Sequence, residues 1–218
     1  MKLELKETKD GSHTLYVPEL NEHYHSQHGA VQEALHVFIN HGLKPLLHQN
    51  RPLNILEVGW GTGLNCLLTC QHCGETNIDY TGVEAFPIQS SLHEKLNYVQ
   101  SLKIPNELYK KMTDAPWEIE TEITSNFHLT KVHATIQEWH TKNSFDLIYF
   151  DAFGPRAQEE MWQIETLEKV VRMLRLGGVF ITYCAKGQLK RDLKALGCYL
   201  ETLPGPPGKR EMTRASKV

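Results

Sequence analysis

The chain of 218 residues carries a formal net charge of −3 at pH 7, and 40% of its residues are hydrophobic. A chain of this size can bury a full α/β core as one domain, and its slightly negative charge argues against indiscriminate binding to nucleic acid. Because the start lacks the apolar segment of a signal peptide and no apolar run is long enough to span a membrane, we expect a cytoplasmic protein without membrane attachment.

Residues 10–50 form a predicted front piece, in which short strands or a hairpin precede a helix that begins near Ala30. The apolar face of this helix is predicted from residues at helical spacing: Ala30, Ala34, Val37 and His41. Gly42 followed by Pro45 predicts that the helix stops or bends at this point.

Residues 53–65 read L-N-I-L-E-V-G-W-G-T-G-L-N, an apolar run that suits a buried strand and continues into three alternate glycines. Gly59, Gly61 and Gly63 can adopt positive φ and let the backbone approach a ligand that a Cβ would obstruct. The spacing differs from the G-x-G-x-x-G of dinucleotide sites, so a different ligand is predicted. The loop alone leaves open a nicotinamide-dinucleotide loop or a tight turn without a ligand.

Glu84 ends a second predicted strand, residues 80–84, and stands 21 positions after Gly63. A carboxylate at the carboxyl end of a strand can accept hydrogen bonds from both hydroxyls of a ribose. A glycine loop that lacks a phosphate-binding lysine and is followed by such an acid suits S-adenosylmethionine, whose cationic sulfonium is also favoured by Glu57. We therefore predict S-adenosylmethionine as the cofactor.

The rest of the chain continues the alternation of strands and helices that predicts an open α/β sheet. In chain order we expect helices over 64–73 and 88–102, an irregular or short-helical insertion over 103–126, strands over 127–132 and 145–150, a helix over 159–175 that Leu176-Gly177-Gly178 caps, and a strand over 179–183.

Asp151 is the candidate catalytic residue, because it directly follows the predicted central strand 145–150. Ligands of doubly wound sheets bind at the carboxyl ends of the parallel strands. A carboxylate there can orient an amine and take up its proton while the amine attacks a methyl group held in line. The alternative is that Asp151 only caps the following loop or pairs with Arg156.

Four blocks in chain order resemble the MnmC/MnmD family, the methyltransferases that complete 5-methylaminomethyl-2-thiouridine at the wobble position of bacterial tRNA, and especially its stand-alone members. These blocks are residues 10–38, residues 55–65, Y-F-D-A-F-G-P-R-A-Q-E-E-M-W over 149–162, and G-P-P-G-K-R-E-M over 205–212. Together with Ala115-Pro116-Trp117 they span nearly the whole chain.

The resemblance implies a Rossmann-like fold of the class I S-adenosylmethionine-dependent methyltransferases: a mostly parallel sheet with helices on both faces and an N-terminal extension. Residues 1–50 are expected to place strands and a helix over the cofactor pocket of a core formed by residues 51–218. The implied reaction is N-methylation of the 5-aminomethyl group of uridine or 2-thiouridine at the tRNA wobble position. An aminopropyltransferase of the spermidine synthase type shares the glycine loop, the ribose acid and the aspartate, and is the alternative.

Family positions transfer to this sequence residue by residue. Asp151 matches the family's active-site aspartate, and the cofactor-binding positions are Gln32, Glu57, Gly59, Gly61, Gly63, Asn65, Glu84 and Ala134. Where many relatives have a Gly-Asp pair for the adenine amino group, this chain has His133-Ala134. In the loop after Asp151, Phe153-Gly154-Pro155 replaces the usual F-S/A-P, a small change.

Contact with the tRNA anticodon loop is expected from local basic and aromatic residues. The substrate-binding candidates are Phe153, Pro155, Trp162, Lys186, Lys190, Lys209 and Arg210, with Lys194, Arg214 and Lys217 as further members of the basic face. The alternative is that these lysines are ordinary solvated residues. The bifunctional relatives continue into a flavin-dependent oxidase domain; for this chain we expect neither a fused oxidase domain nor an obligate protein partner.

Two further patterns have spacings that occur in metal sites, but we do not expect a metal at either. Cys66, Cys70 and Cys73 have the C-x-x-x-C-x-x-C spacing of radical S-adenosylmethionine enzymes, but they fall in the helix predicted after the glycine loop and are read as reduced residues that pack on the sheet. His23, His25 and His28 have H-x-H-x-x-H spacing but meet no fixed ligand rule.

Overall fold

The computed structural model describes residues 2–48 and 51–218. Its strands are β1 (Glu4–Glu7), β2 (His13–Val17), β3 (Glu22–His23), β4 (Leu53–Val58), β5 (Ile78–Glu84), β6 (Thr121–Thr124), β7 (Phe127–His133), β8 (Phe145–Phe150), β9 (Leu174–Thr182), β10 (Cys198–Pro204) and β11 (Glu211–Lys217). Its α-helices are α1 (Ala30–Ala34), α2 (Lys44–Leu47), α3 (Leu64–His72), α4 (Ser90–His93), α5 (Tyr98–Leu102), α6 (Asn106–Asp114), α7 (Ile164–Arg172) and α8 (Gly187–Ala195). The expected boundary of the front piece at residue 50 lies outside the described residues.

The main sheet has eight strands in the order β10-β11-β9-β8-β4-β5-β7-β6. Strand β4 pairs in parallel with β5 and β8, and the parallel pairing continues to β7 on one side and to β9 on the other. The outer strands β6, β10 and β11 pair antiparallel. The chain moves from β4 outward to β5 and β7 and then returns to β8 on the opposite side of β4, so a crevice opens where these strands end. This arrangement confirms the predicted Rossmann-like sheet.

Helices cover both faces of the sheet. Successive side chains of a strand point to opposite faces, so Ile55 packs with Phe38 and Leu67 on one side, whereas Leu56 packs with Leu167 of α7 and Leu193 of α8 on the other. Both central strands, β4 and β8, are almost entirely buried. The apolar character of residues 145–150 follows from burial on both faces.

The front piece contains the predicted short strands, which form a separate three-stranded antiparallel sheet in the order β1-β2-β3. Of the stop or bend expected at Gly42 and Pro45, the stop is wrong. The helix that starts with α1 continues through a π-helical segment, Leu35–Leu43, directly into α2. Pro45 lies inside this continuous helix, so its missing N–H removes one helix hydrogen bond at the junction with α2 without ending the helix.

The single helix expected over 88–102 is also wrong, because the chain forms two short helices there, α4 and α5. Asn97 lies between them, and its side chain contacts the front piece. The Asn97 Oδ1 accepts a hydrogen bond from His13 N at 2.8 Å, and its Nδ2 donates to Gly11 O at 2.8 Å. A side chain that binds the backbone of another element competes with a continuous helix.

The insertion over 103–126 contains α6, as a short helical element, and also the unpredicted strand β6. The helix expected over 159–175 begins with a separate 3₁₀ turn, Glu159–Trp162, and ends at Arg172. Leu176-Gly177-Gly178 does not cap it but belongs to an irregular start of β9, where the pairing with β8 shifts register. A Cβ at Gly178 would lie 3.0 Å from Phe145 O, so this shift requires glycine.

No helix in the described ranges 2–48 and 51–218 is long and apolar enough to cross a bilayer.

Candidate functional site

A cavity of about 380 Å³ lies at the carboxyl ends of β4, β5, β7 and β8. Its lining includes Glu57, Gly59, Trp60, Gly61, Thr62 and Asn65 from β4 and the following loop; Glu84, Ala85 and Phe86 after β5; residues 134–137 after β7; Asp151, Ala152 and Phe153 after β8; and Tyr24 and His25 from the front piece. Most predicted cofactor residues and the candidate catalytic residue therefore share one cavity.

The glycine loop has the backbone conformation that its sequence predicts. Gly59, Gly61 and Gly63 have φ values of 89°, 51° and 75°. A Cβ at Gly59 would lie 2.8 Å from Asp151 O, and one at Gly61 would lie 3.1 Å from the Tyr24 ring. The first glycine thus lets the end of β4 approach the end of β8, and the second lets Tyr24 cover the loop. Gly63 does not line the cavity, but it leaves room for the Trp60 indole.

The Glu84 carboxylate is held in a fixed orientation by backbone N–H groups. Its Oε2 accepts a hydrogen bond from Gly61 N at 2.8 Å, and its Oε1 accepts one from Phe86 N at 2.8 Å. Burial raises its pKa, and these two hydrogen bonds oppose that rise. The acid is therefore already oriented toward the cavity before any ligand binds.

Asp151 is joined to a second buried carboxyl group through an amide. The Asn65 Nδ2 donates to Asp151 Oδ2 at 2.8 Å and to Glu57 Oε1 at 2.9 Å, and the Tyr80 hydroxyl donates to Glu57 Oε2 at 2.7 Å. Burial raises the pKa of Glu57 well above its usual range. Burial also raises the pKa of Asp151 to about 7, and the negative charge of Glu33 adds to this rise. An acid with this pKa can release and take up a proton at neutral pH.

Lys209 supplies a cation close enough to act on Asp151. Its Nζ lies 2.6 Å from Glu33 Oε1 and 3.7 Å from the centroid of the Tyr183 ring. Glu33 Oε2 also accepts a hydrogen bond from Ser26 N, and the Tyr183 hydroxyl donates to Ala152 O at 2.8 Å. Both Lys209 and the hydrogen bond from Asn65 act to lower the pKa of Asp151. Lys209 lies in the turn between β10 and β11. The ion pair therefore connects this turn to the front piece, beside the loop that carries Asp151.

The two aromatic candidates in this loop have different environments. Phe153 lines the cavity and packs edge-on against Tyr24 at 5.1 Å. Trp162 is buried against Phe150, and its Nε1 donates to Phe153 O at 2.8 Å. Stacking on a base stays a prediction for Phe153, which borders the cavity, whereas Trp162 is buried and holds the backbone of Phe153 in place.

A second, open groove of about 640 Å³ lies on the other side of the same loop. Its lining contains four basic residues, Arg156, Lys186, Lys209 and Arg210. Pro155 and the acidic residues Glu22 and Glu211 also line it. Arg156 forms no ion pair with Asp151 in the described part of the chain. The groove therefore gathers Pro155 and three of the four basic substrate-binding candidates next to Asp151.

The rest of the predicted basic face is not gathered there. Lys190 pairs with Glu211 at 2.8 Å, Arg214 pairs with Glu201, and Lys217 donates to Leu174 O at 2.7 Å. Lys194 is exposed on α8, away from the groove lining. These side chains are engaged with neighbouring strands or lie apart from the groove.

Among the predicted cofactor residues, Gln32 is not brought to the cavity. Its side chain is exposed, and its backbone N donates to Asp10 Oδ2 at 3.0 Å. Ala134 does line the cavity, and its backbone N donates to Glu84 O at 3.2 Å. Sequence reasoning missed Tyr24 and His25, because the expected position of the front piece over the pocket did not show which of its side chains enter the cavity, and it missed Phe86 in the loop after β5.

The cysteine and histidine patterns do not converge on a metal site. Cys66 and Cys73 are buried along α3, and burial raises the pKa of both thiols. His23 bonds Gln27, whereas His28 lies 3.4 Å from Lys9 Nζ. In residues 2–48 and 51–218, no group of three or more histidine, cysteine or acidic side chains is placed to hold a metal ion.

Comparisons with known proteins agree with this geometry. A family model described as S-adenosyl-L-methionine-dependent methyltransferase matches residues 99–218. The chain is 28% identical to the bifunctional protein MnmC of tRNA 5-methylaminomethyl-2-thiouridine biosynthesis from Pseudoalteromonas atlantica, with 87% of this chain and 30% of that protein covered. It is also 28% identical to MnmC from Cupriavidus metallidurans, with 93% and 32% covered. The chain spans about a third of the length of these curated relatives.

The crystal structure of MnmC2 from Aquifex aeolicus superimposes with a TM-score of 0.81 at 23% identity, covering 99% of this chain and 70% of that one. At this identity the likeness establishes the fold.

Proposed function

The chain belongs to the S-adenosyl-L-methionine-dependent methyltransferase family whose model matches its residues 99–218, and we propose that it methylates the amino nitrogen of a 5-aminomethyl group on uridine or 2-thiouridine at the wobble position of tRNA. The names of the MnmC relatives and the four sequence blocks support this choice of acceptor. The observation that carries the proposal is the position of Asp151, which lies in the cavity wall with a pKa near 7 and is held by Asn65.

The cavity has the features that S-adenosylmethionine requires. Glu84 is oriented to accept hydrogen bonds from ribose hydroxyls, and Ala134 borders the side where the adenine would lie. The Asn65 Oδ1 is buried and has no hydrogen-bond partner in the described chain. Because buried polar atoms are normally paired, this atom is suited to accept a hydrogen bond from the cofactor's ammonium group. When bound, the cofactor supplies a methyl group activated by its positive sulfur.

Asp151 is proposed to act as the general base. An alkylammonium ion has no lone pair, so the acceptor amine must lose a proton before or during attack. A carboxylate with a pKa of about 7 is substantially ionised at neutral pH and can still hold the proton that it receives. Asn65 keeps the Asp151 side chain directed into the cavity, where the amine and the methyl group must approach to about 3–3.5 Å.

The open groove is proposed to bind the RNA backbone on either side of the wobble nucleotide, whose base turns out of its stack to enter the cavity. Lys186, Arg156 and Arg210 are the groove cations that can contact phosphates, whereas Lys209 is already paired with Glu33. Phe153 is placed to contact the target base from the cavity side, and Pro155 forms the lip between the cavity and the groove. Lys190 stays a weaker candidate, because it is bound to Glu211.

The direct test is incubation of the protein with labelled cofactor and tRNA from cells that lack this activity, followed by nucleoside mass analysis. The expected product is the aminomethyl nucleoside with one hydrogen replaced by methyl. An aminopropyl adduct would identify the alternative transferase. Transfer of label to tRNA whose wobble uridine carries no aminomethyl group would contradict the proposed acceptor.

A further inference from the structure

His25 is a buried histidine that belongs to the cavity wall and to no site assigned so far. Only 9% of its surface is exposed, and it lines the cavity together with Glu57, Asn65 and Asp151. Its backbone N donates to Thr14 Oγ1 at 3.0 Å, which fixes this part of the front piece. Within the described chain, Nδ1 is fully buried without a hydrogen-bond partner, whereas Nε2, which also has no partner there, is not fully buried and is the nitrogen that a ligand can reach.

The imidazole is neutral in this environment. Burial lowers the pKa of His25 to about 4, although the charges of Glu33 and Asp10 act in the opposite direction. A neutral imidazole has one N–H to donate and one nitrogen to accept. The Tyr98 ring packs edge-on against it at 6.4 Å, so the His25 ring is held in place without using either polar atom. The accessible Nε2 is therefore free to form a hydrogen bond with a ligand in the cavity.

The two ends of the cavity differ in the chemistry that they offer. Glu84 and Phe86 lie at the end after β5, which suits the nucleoside part of the cofactor. The amino-acid part is therefore left for the remaining polar lining, which includes Glu57, Asn65 and His25. That part carries an ammonium and a carboxylate, which need different partners.

Several hydrogen-bond acceptors belong to this part of the lining. Glu57, Asp151 and the unpaired Asn65 Oδ1 can all accept hydrogen bonds from an ammonium group. Both N–H groups of the Asn65 amide are already used by the two carboxyl groups. No lysine or arginine lines the cavity in the described residues. The carboxylate must therefore be met by neutral donors.

We propose that His25 donates a hydrogen bond to the α-carboxylate of S-adenosylmethionine and so serves as a specificity contact for the amino-acid end of the cofactor. Tyr24 of the front piece also lines the cavity, and its hydroxyl has no hydrogen-bond partner among the described residues. The front piece thus contributes to cofactor selection, whereas the glycine loop and Glu84 address the nucleoside. The proposal concerns cofactor binding and does not depend on which nucleoside accepts the methyl group.

The test compares three ligands by calorimetry without RNA: S-adenosylhomocysteine, its decarboxylated analogue and 5′-methylthioadenosine, which lacks the whole amino-acid part. In His25→Phe, which keeps an aromatic ring but loses both nitrogens, we expect binding of S-adenosylhomocysteine to weaken about tenfold, while the other two ligands change less than about twofold. His25→Gln, which retains an N–H donor, is expected to keep most of the affinity. Glu84→Gln, at the nucleoside end, is the matched control and should weaken all three ligands.

Each departure from this pattern is informative. Equal weakening of all three ligands by His25→Phe would show that the ring only shapes the cavity, and unchanged S-adenosylhomocysteine binding would remove the contact; either result overturns the proposal. Weakening shared by the decarboxylated analogue would move the contact to the ammonium and overturn it as well. A second measurement needs no substitution: the His25 imidazole nitrogen resonances should shift when S-adenosylhomocysteine is added and stay in place with the decarboxylated analogue.

Discussion

The Asn65 amide donates a 2.8 Å hydrogen bond to the Asp151 carboxylate. Its other N–H goes to Glu57, so one short side chain from the helix after the glycine loop links the ends of the two central strands, β4 and β8. The glycine loop and the proposed general base are therefore positioned by the same residue.

The ion pair between Lys209 and Glu33 is expected to adjust the proton affinity of Asp151. Lys209→Met leaves the Glu33 carboxylate buried without its cation and removes a positive charge that lowers the pKa of Asp151. The midpoint of the rising limb of the methylation rate should then move to higher pH, and the free energy of unfolding should fall by about 1–3 kcal/mol.

The measurements are a pH–rate profile and urea unfolding of this variant. Glu57, Glu33 and Tyr183 also act on Asp151, and they are the same in every variant. Lys209→Arg keeps the positive charge and should therefore retain the original midpoint. Lys194→Met, an exposed lysine outside the groove, is the neutral control. An unchanged midpoint in Lys209→Met would show that the Lys209–Glu33 ion pair serves only to hold the turn between β10 and β11 in place.

Lys131 makes stability depend on pH through its burial. Its Nζ lies 4.9 Å from the ring centroids of both Trp60 and Trp117 and donates to Thr113 O at 2.6 Å. Burial lowers the pKa of Lys131 to about 8. In the unfolded chain this lysine has an ordinary pKa of ~10.4. Between about pH 8 and pH 10.4 the unfolded chain therefore binds more protons than the folded chain, so the free energy of unfolding rises with pH over this range.

We expect the free energy of unfolding to increase by about 1–2 kcal/mol between about pH 8 and pH 10 in the unaltered protein, and this increase to be absent in Lys131→Met. Urea unfolding at several pH values measures it. Lys142→Met, which removes an exposed lysine, controls for other groups that titrate in the same range. The same pH dependence in both variants would contradict the assignment.

The groove cations are expected to act on RNA binding alone. Lys186→Ala or Arg210→Ala should each raise the KM for tRNA by roughly 3- to 10-fold and reduce the salt dependence of binding by about one ion, because each removes one phosphate contact. Affinity for S-adenosylhomocysteine should not change. Lys194→Ala, on α8 and outside the groove, serves as the control. An equal loss of tRNA binding in that variant would mean that only the net charge of the surface matters.

Local sequence was sufficient for the central parallel strands and for the glycine loop. Residues 145–150 form β8 with the predicted bounds, since a short apolar run between a polar segment and Asp151 has few alternatives. The positive φ values at Gly59, Gly61 and Gly63 follow from the same local logic. Such features depend on neighbours in the chain, and a single sequence contains that information.

Long-range contacts account for what could not be predicted. The break between α4 and α5 depends on Asn97 reaching Gly11 and His13 across more than eighty residues. The position of His25 in the cavity depends on how the front piece lies over the strand ends, and the partners of Lys190 and Arg214 depend on the register of β10 and β11. None of these relations leaves a periodic trace in the sequence.

The role of Asp151 is best tested by the single-turnover rate of methyl transfer to aminomethylated tRNA at saturating cofactor, compared between the unaltered protein and Asp151→Asn over a range of pH. In the unaltered protein the rate should rise with pH and level off above about pH 7, as Asp151 loses its proton. Asp151→Asn should bind S-adenosylhomocysteine normally, lose that rise and react about 10²- to 10⁴-fold more slowly. An asparagine variant that transfers the methyl group at the full rate would show that Asp151 is not the base.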